Sequence, residues 1–87
     1  MSDLTKFLLA RVAEDERYAR TEAGAFERYY GPARVLAECE AKRRIVARHR
    51  PTGGIGCECS EVWPCANLLD LASVYAEHPD YRPRWRP

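Results

Sequence analysis

Three cysteines stand within nine residues, in the segment CECSEVWPC that runs from Cys57 to Cys65. Three thiols held this close are not expected to be unrelated core fillers, so the segment points to a metal site, with unligated or redox thiols as the other reading. The chain has only 87 residues, and a chain of that size buries roughly 60 to 65% of its unfolded surface. Its hydrophobic share is 46%, yet twelve of those residues are alanine, leaving 14 Val, Ile and Leu and nine aromatics for the core. A core that thin gains from a staple. The length also excludes two ordinary cores and most catalytic superfolds, so a single domain spanning 1–87 is expected.

Zinc takes four nitrogen or sulfur ligands in a tetrahedron, and structural sites draw all four from the protein. With Cys57, Cys59 and Cys65 as three, the fourth comes from Cys39, His49 or His78. A helix is expected from Pro64 to about residue 78. On it His78 lies about 20 Å beyond Cys65 at about 1.5 Å rise per residue, too far to share an ion. Cys39 and His49 are about 15 Å apart on a second expected helix, so at most one of them joins. His49 ends that helix beside a flexible glycine loop, whereas Cys39 sits between Val35 and Val46, where a cysteine behaves as a small hydrophobe. The expected metal set is therefore His49, Cys57, Cys59 and Cys65, with Cys39 the alternative to His49. The expected ion is zinc, and the alternative cofactor is an iron–sulfur cluster.

Helical periodicity organises the remainder. Leu4, Phe7, Leu8, Val12, Tyr18 and Ala19 share one arc of a first helix over 1–20, capped by Ser2 or Asp3. Arg11 and Asp15 fall on the same arc, four apart, and can pair. Gly24 weakens any continuation, and Phe26, Tyr29 and Tyr30 are expected to fold back onto the core. Pro32 opens a second helix over 32–50, with Val35, Leu36, Cys39, Ile45, Val46 and His49 inward. Residues 51–64 form a Gly/Cys loop, and a third helix over 64–78 buries Leu68, Leu69, Leu71, Ala72, Tyr75 and Ala76. Residues 79–87 carry too much proline for a helix and should be extended, with Tyr81 and Trp85 stapling them across the bundle. The fold class is thus mainly α: a small three-helix domain, a zinc-binding loop between its second and third helices, and a Pro-rich tail.

Fourteen basic residues face thirteen acidic ones, so there is no overall field of the kind that attracts nucleic acid or membranes. The distribution is in blocks: residues 41–51 carry five positive charges, and residues 52–81 carry five negative ones. Such blocks are expected to face one another. No apolar run approaches a membrane span, and the N-terminus MSDLTKFLLARVAEDE turns acidic where a signal peptide would be cleaved. A cytoplasmic location is expected, and reducing conditions favour thiols or metal ligands over disulfides.

The strings FLLARVAEDE, PARVLAECEAKRRIVARH, the PC before a leucine-rich helix, and YAEHPDYRPRWRP resemble a family of small actinobacterial and actinophage proteins, domain-of-unknown-function family 6221. The resemblance spans nearly the whole chain and implies an actinobacterial or phage origin with no activity attached. It also implies the histidine at His49 and a C-x2-C pair, which here is the shorter Cys57-Glu58-Cys59. The order Cys39, Cys57, Cys59, Cys65 is more weakly similar to the cluster ligands of WhiB-like regulators, without their Gly-Trp-Gly-Gly turn.

The expected function is a non-enzymatic, zinc-stabilised helical module that binds another protein, with Arg11, Asp15, Arg43, Arg44 and Trp85 as interaction residues. Nucleic-acid binding through Lys42, Arg43, Arg44, Arg48 and Arg50 is the alternative, disfavoured because acidic blocks can neutralise that run.

Overall fold

A computed structural model of the chain describes residues 2–21 and 31–87. Among them are three α-helices, α1 (Asp3–Thr21), α2 (Pro32–Arg48) and α3 (Ala66–Ser73), followed by a single 3-10 turn at Pro83–Trp85. Gly24, Phe26, Tyr29 and Tyr30 lie outside the described residues.

The start of α1 is set by Ser2, whose Oγ accepts the Thr5 N–H at 3.0 Å, satisfying a donor that the helix itself leaves open. Leu4, Phe7, Leu8, Val12 and Ala19 form its buried stripe. Tyr18, expected on that arc, is 61% exposed. Helix α2 opens on extended Gly31 with Pro32 in its first turn, as the proline predicts. It closes two residues before the expected boundary. Pro51 disfavours a helical Arg50, and the chain already leaves the helix at His49, with φ −124 and ψ 58.

The third helix is much shorter than the expected 64–78. Pro64 does not start it; the Trp63–Pro64 peptide is cis, and Cys65 is the extended N-cap. At the other end the Ser73 hydroxyl donates to the Asp70 carbonyl at 2.6 Å. Beyond it the backbone tightens into bonds from Tyr75 to Ala72, Ala76 to Ser73 and His78 to Tyr75. That tighter winding lets Tyr75 and His78 both turn toward α1, where their polar atoms find partners.

Helix α1 packs chiefly along α2 and more lightly on α3. The tail is not wholly extended. Its 3-10 turn, closed by the Trp85 N–H on the Arg82 carbonyl at 2.9 Å, delivers Trp85 into the core. Phe7 is the hub: its ring centroid lies 5.1 Å from Trp85, 6.0 Å from Tyr81, 6.1 Å from Tyr75 and 5.8 Å from His78. Edge-to-face and tilted contacts suit aromatic quadrupoles, so one side chain of α1 fixes both the α3 exit and the tail. The same core continues through Leu4, Leu8, Val46, Leu68 and Ala72 to Cys57 and Cys65.

Candidate metal centre

The chain between α2 and α3 makes two tight reversals instead of a loose glycine loop. The Thr52 N–H bonds the Gly56 carbonyl at 2.9 Å, and the Cys57 N–H bonds Glu61 at 2.7 Å. Further bonds run from Glu58 to Arg50 and from Trp63 to Ile55, with isolated bridges pairing Pro51 with Cys57 and Gly56 with Val62. Gly53 sits at φ 96, in the left-handed region that glycine enters without cost. On the outside Arg50 Nε reaches Glu58 Oε1 at 2.7 Å, and that guanidinium holds the Glu58 carboxyl below its ordinary range.

These reversals aim three thiols at the end of α2. His49 Nδ1 lies 3.5 Å from Cys65 Sγ and 3.9 Å from Cys57 Sγ, and the donor atoms of His49, Cys57, Cys59 and Cys65 all lie within 4.8 Å of one another. Four donors at about 2.0 to 2.3 Å from one ion in a tetrahedron are about 3.5 to 3.8 Å apart. The 3.5 Å distance matches the nitrogen–sulfur edge and the 3.9 Å distance is a few tenths of an ångström longer, so a small adjustment of the side chains fits the residues present to a single tetrahedral ion bound through Nδ1. This is the expected ligand set, and the cluster could hold a metal. Burial pushes the Cys57 thiol up to about 11, while the Glu61 backbone N–H draws Cys59 down. A cation favours the thiolate at both.

Cys39 is elsewhere. It is 2% exposed, its Sγ lies 3.7 Å from the Val12 carbonyl, and burial raises its pKa. It is a core residue, and the WhiB-like set that includes it is not assembled. His78 is also outside the cluster, though not because of the helical distance expected from the sequence, since α3 stops short of it. Its Nδ1 accepts the Asp80 N–H at 3.0 Å and faces Arg11 Nη1 at 3.3 Å.

The five expected interaction residues separate. Arg11 is only 8% exposed, bonds Glu14 at 2.6 Å and lies 5.1 Å over the Phe7 ring. Its expected partner Asp15 instead accepts the Tyr75 hydroxyl at 2.9 Å. Trp85, at 4% exposure, is likewise core, so neither it nor Arg11 offers the accessible side chain expected of an interaction residue, and Trp85 staples the tail as expected. Arg43 is half-buried and bonds Glu16 across the α1–α2 interface, and Arg44 is exposed, with Glu40 at 3.9 Å. Lys42 donates to the Tyr75 hydroxyl at 3.1 Å. Among the described residues, four of the five cations in the basic run thus meet partners within the chain; the opposed charge blocks predict the Arg50–Glu58 pair, whereas Arg43 finds Glu16 on α1, outside the acidic 52–81 block. Sequence reasoning missed the polar set of Glu14, Tyr75, His78 and Asp80 around α1; the acidic run at Glu14, Asp15 and Glu16 opposite a His-Pro-Asp segment was its only trace.

The fold and this cluster define a small helical protein with a site able to bind a metal ion. No helix among the described residues is long and apolar enough to cross a membrane. A family model matches residues 1–87, and the chain belongs to that family, DUF6221, a family of unknown function. Neither a curated protein nor a solved structure matches the chain.

Proposed function

We propose that the protein is a non-enzymatic, zinc-stapled helical module that acts by binding another protein, as an accessory or regulatory component of an actinobacterium or its phage. The observation that carries the reading is the convergence of one histidine and three cysteines, whose donor atoms all lie within 4.8 Å of one another. His49 and three cysteines fill every position of a structural zinc site, leaving none for substrate or water. A cluster cofactor has less support: ligands on separate irons are spread further apart than those of one ion, and these four converge within 4.8 Å. Zinc chemistry here is structural. The ion would hold the thiolates, and its binding energy would appear as folding energy that locks the end of α2 to the start of α3.

Ile55 at 81% exposure and Val62 at 67% support the protein-binding part, because the metal-organised loop presents both to solvent. The internally paired basic run speaks against nucleic acid. Free thiols suit a reducing compartment such as the cytoplasm.

Metal analysis with an absorption spectrum of freshly purified protein tests the reading. One zinc per chain, no visible colour and loss of ordered structure on chelation are expected. A brown protein would replace zinc with a cluster, and a folded protein that takes up no metal overturns the proposal. For the partner, capture from a native lysate is compared between the wild type and the Ile55→Ser, Val62→Ser double variant, both zinc-loaded. Equal capture, or no partner and no self-association, removes the interaction reading.

A further inference from the structure

The three thiols of the cluster are not equally accessible. Cys57 is 3% exposed and Cys65 1%, whereas Cys59 is only half-buried and is flanked by exposed Glu58, Ser60 and Glu61. A small oxidant therefore meets Cys59 first, and a second thiol waits within 4.8 Å of it. We propose that Cys59 is a peroxide-sensitive modification site, that Cys65 is its resolving partner, and that the resulting disulfide ejects the metal.

The choice of Cys65 over Cys57 follows from the backbone. Cys57 is locked in the tight turn that contains Cys59: it donates its N–H to Glu61, accepts the Ser60 N–H at 2.9 Å, and is bridged to Pro51. A disulfide needs its two Cβ atoms about 3.5 to 4.5 Å apart with a dihedral near 90°. A one-residue spacer inside a fixed turn leaves little freedom to reach that geometry. Cys65 is six residues from Cys59; although Val62 is bridged to Gly56 and the Trp63 N–H bonds Ile55, the five intervening residues spread the adjustment over many more backbone torsions than the single residue between Cys57 and Cys59.

In the first step the Cys59 thiolate attacks one oxygen of hydrogen peroxide, forming a sulfenic acid and releasing hydroxide. The Cys65 thiolate then attacks the sulfenic sulfur, forming the S–S bond and expelling a second hydroxide. Two protons convert both hydroxides to water. The two cysteines lose two electrons and the peroxide gains them; a bound zinc ion, which takes no part in the redox change, would be released because only His49 and Cys57 would remain to hold it. The loop then loses its staple, so oxidant would switch off the surface that the metal organises.

This inference rests on the metal reading, and the experiment keeps the two separable. Zinc-loaded protein is treated with a limiting amount of hydrogen peroxide, released zinc is followed with a chromogenic chelator, and the remaining thiols are alkylated under denaturing conditions. Cleavage after glutamate puts each cysteine on its own peptide, because Glu58 lies between Cys57 and Cys59 and Glu61 between Cys59 and Cys65. A Cys59–Cys65 peptide pair that appears in step with zinc release, one ion per disulfide, is expected, with reduction restoring zinc binding. In Cys59→Ser, peroxide-driven loss of the remaining cluster thiols should slow by on the order of tenfold, since only buried thiols remain. A first disulfide between Cys57 and Cys65, or between Cys57 and Cys59, overturns the assignment. So does Cys59 oxidation without metal loss. If the protein takes up no zinc, the metal reading fails, and the order of oxidation mapped on metal-free protein still decides for or against Cys59.

Discussion

Replacing Phe7 by alanine is a sharp perturbation of the packing, because the Phe7 ring touches the α3 exit through Tyr75 and His78 and the tail through Tyr81 and Trp85. It is 6% exposed, so the substitution removes almost a whole buried ring. Buried Phe→Ala changes cost about 3 to 5 kcal/mol, the lost transfer energy plus the cavity. A domain of this length holds about 4 to 13 kcal/mol in total at about 0.05 to 0.15 kcal/mol per residue, so the loss is a large fraction of what there is. At about 4 to 8 °C per kcal/mol for a small domain, Tm should fall by about 12 to 40 °C. Phe7→Leu keeps most of the apolar volume but loses the ring contacts, and should cost about 1 to 2 kcal/mol. Thermal melts by far-UV circular dichroism on zinc-loaded protein measure both, and tryptophan fluorescence reports whether Trp85 becomes solvated. A Phe7→Ala shift under about 5 °C, corresponding to about 1 kcal/mol or less, would refute the hub, as would an unchanged Trp85 environment.

Three other outcomes follow from the same structure. Cys39→Ala should keep one metal per chain and cost only about 1 kcal/mol, the usual size of a small core change. Cys65→Ala should weaken metal binding by more than the ~100-fold that altering an outer partner can cause; competition with a chromogenic chelator compares them, and equal losses would put Cys39 back in the ligand set. Burial and the bond to Asp15 raise the Tyr75 phenol above its ordinary range, so the folded state favours its neutral form. Its contribution to stability is complete below the unfolded value of about 10 and is lost as pH rises above that. Tyr75→Phe should therefore flatten the alkaline fall in stability; parallel wild-type and variant profiles, from denaturation between pH 8 and 11, would contradict this. The Tyr81 hydroxyl is buried without a hydrogen-bond partner among the described residues. Tyr81→Phe removes an unsatisfied group and should leave Tm unchanged or raise it by the equivalent of up to about 1 kcal/mol, whereas a clear loss would mean that the hydroxyl is satisfied.

The cluster that could hold a metal was legible in the sequence because it depended on local quantities. Three thiols in nine residues can share one ion, and the proline–glycine segment after His49 brings the end of one helix near the start of the next. The helix starts at Ser2 and Gly31-Pro32 were legible for the same reason, since capping is settled within one turn. Boundaries that depend on distant partners were not. Helical periodicity through residues 74–78 fits a continued helix, but Tyr75 and His78 find Asp15 and Arg11 on α1, and the chain tightens to reach them.

Charge and aromatic residues divide along the same line. Composition shows opposed blocks, and from them follow pairs such as Arg50 with Glu58. Only the folded chain decides that Arg11 is buried beneath its partners and Trp85 beneath the tail turn, because burial is set by what returns from elsewhere in the chain and not by a residue's own neighbours. The sequence by itself determined the elements and the donors that can hold a metal. The tertiary structure decided where α3 stops, which charged and aromatic residues are withdrawn from the surface, and which thiol remains open to solvent. Each of these depends on contacts between segments tens of residues apart, and local spacing does not encode them.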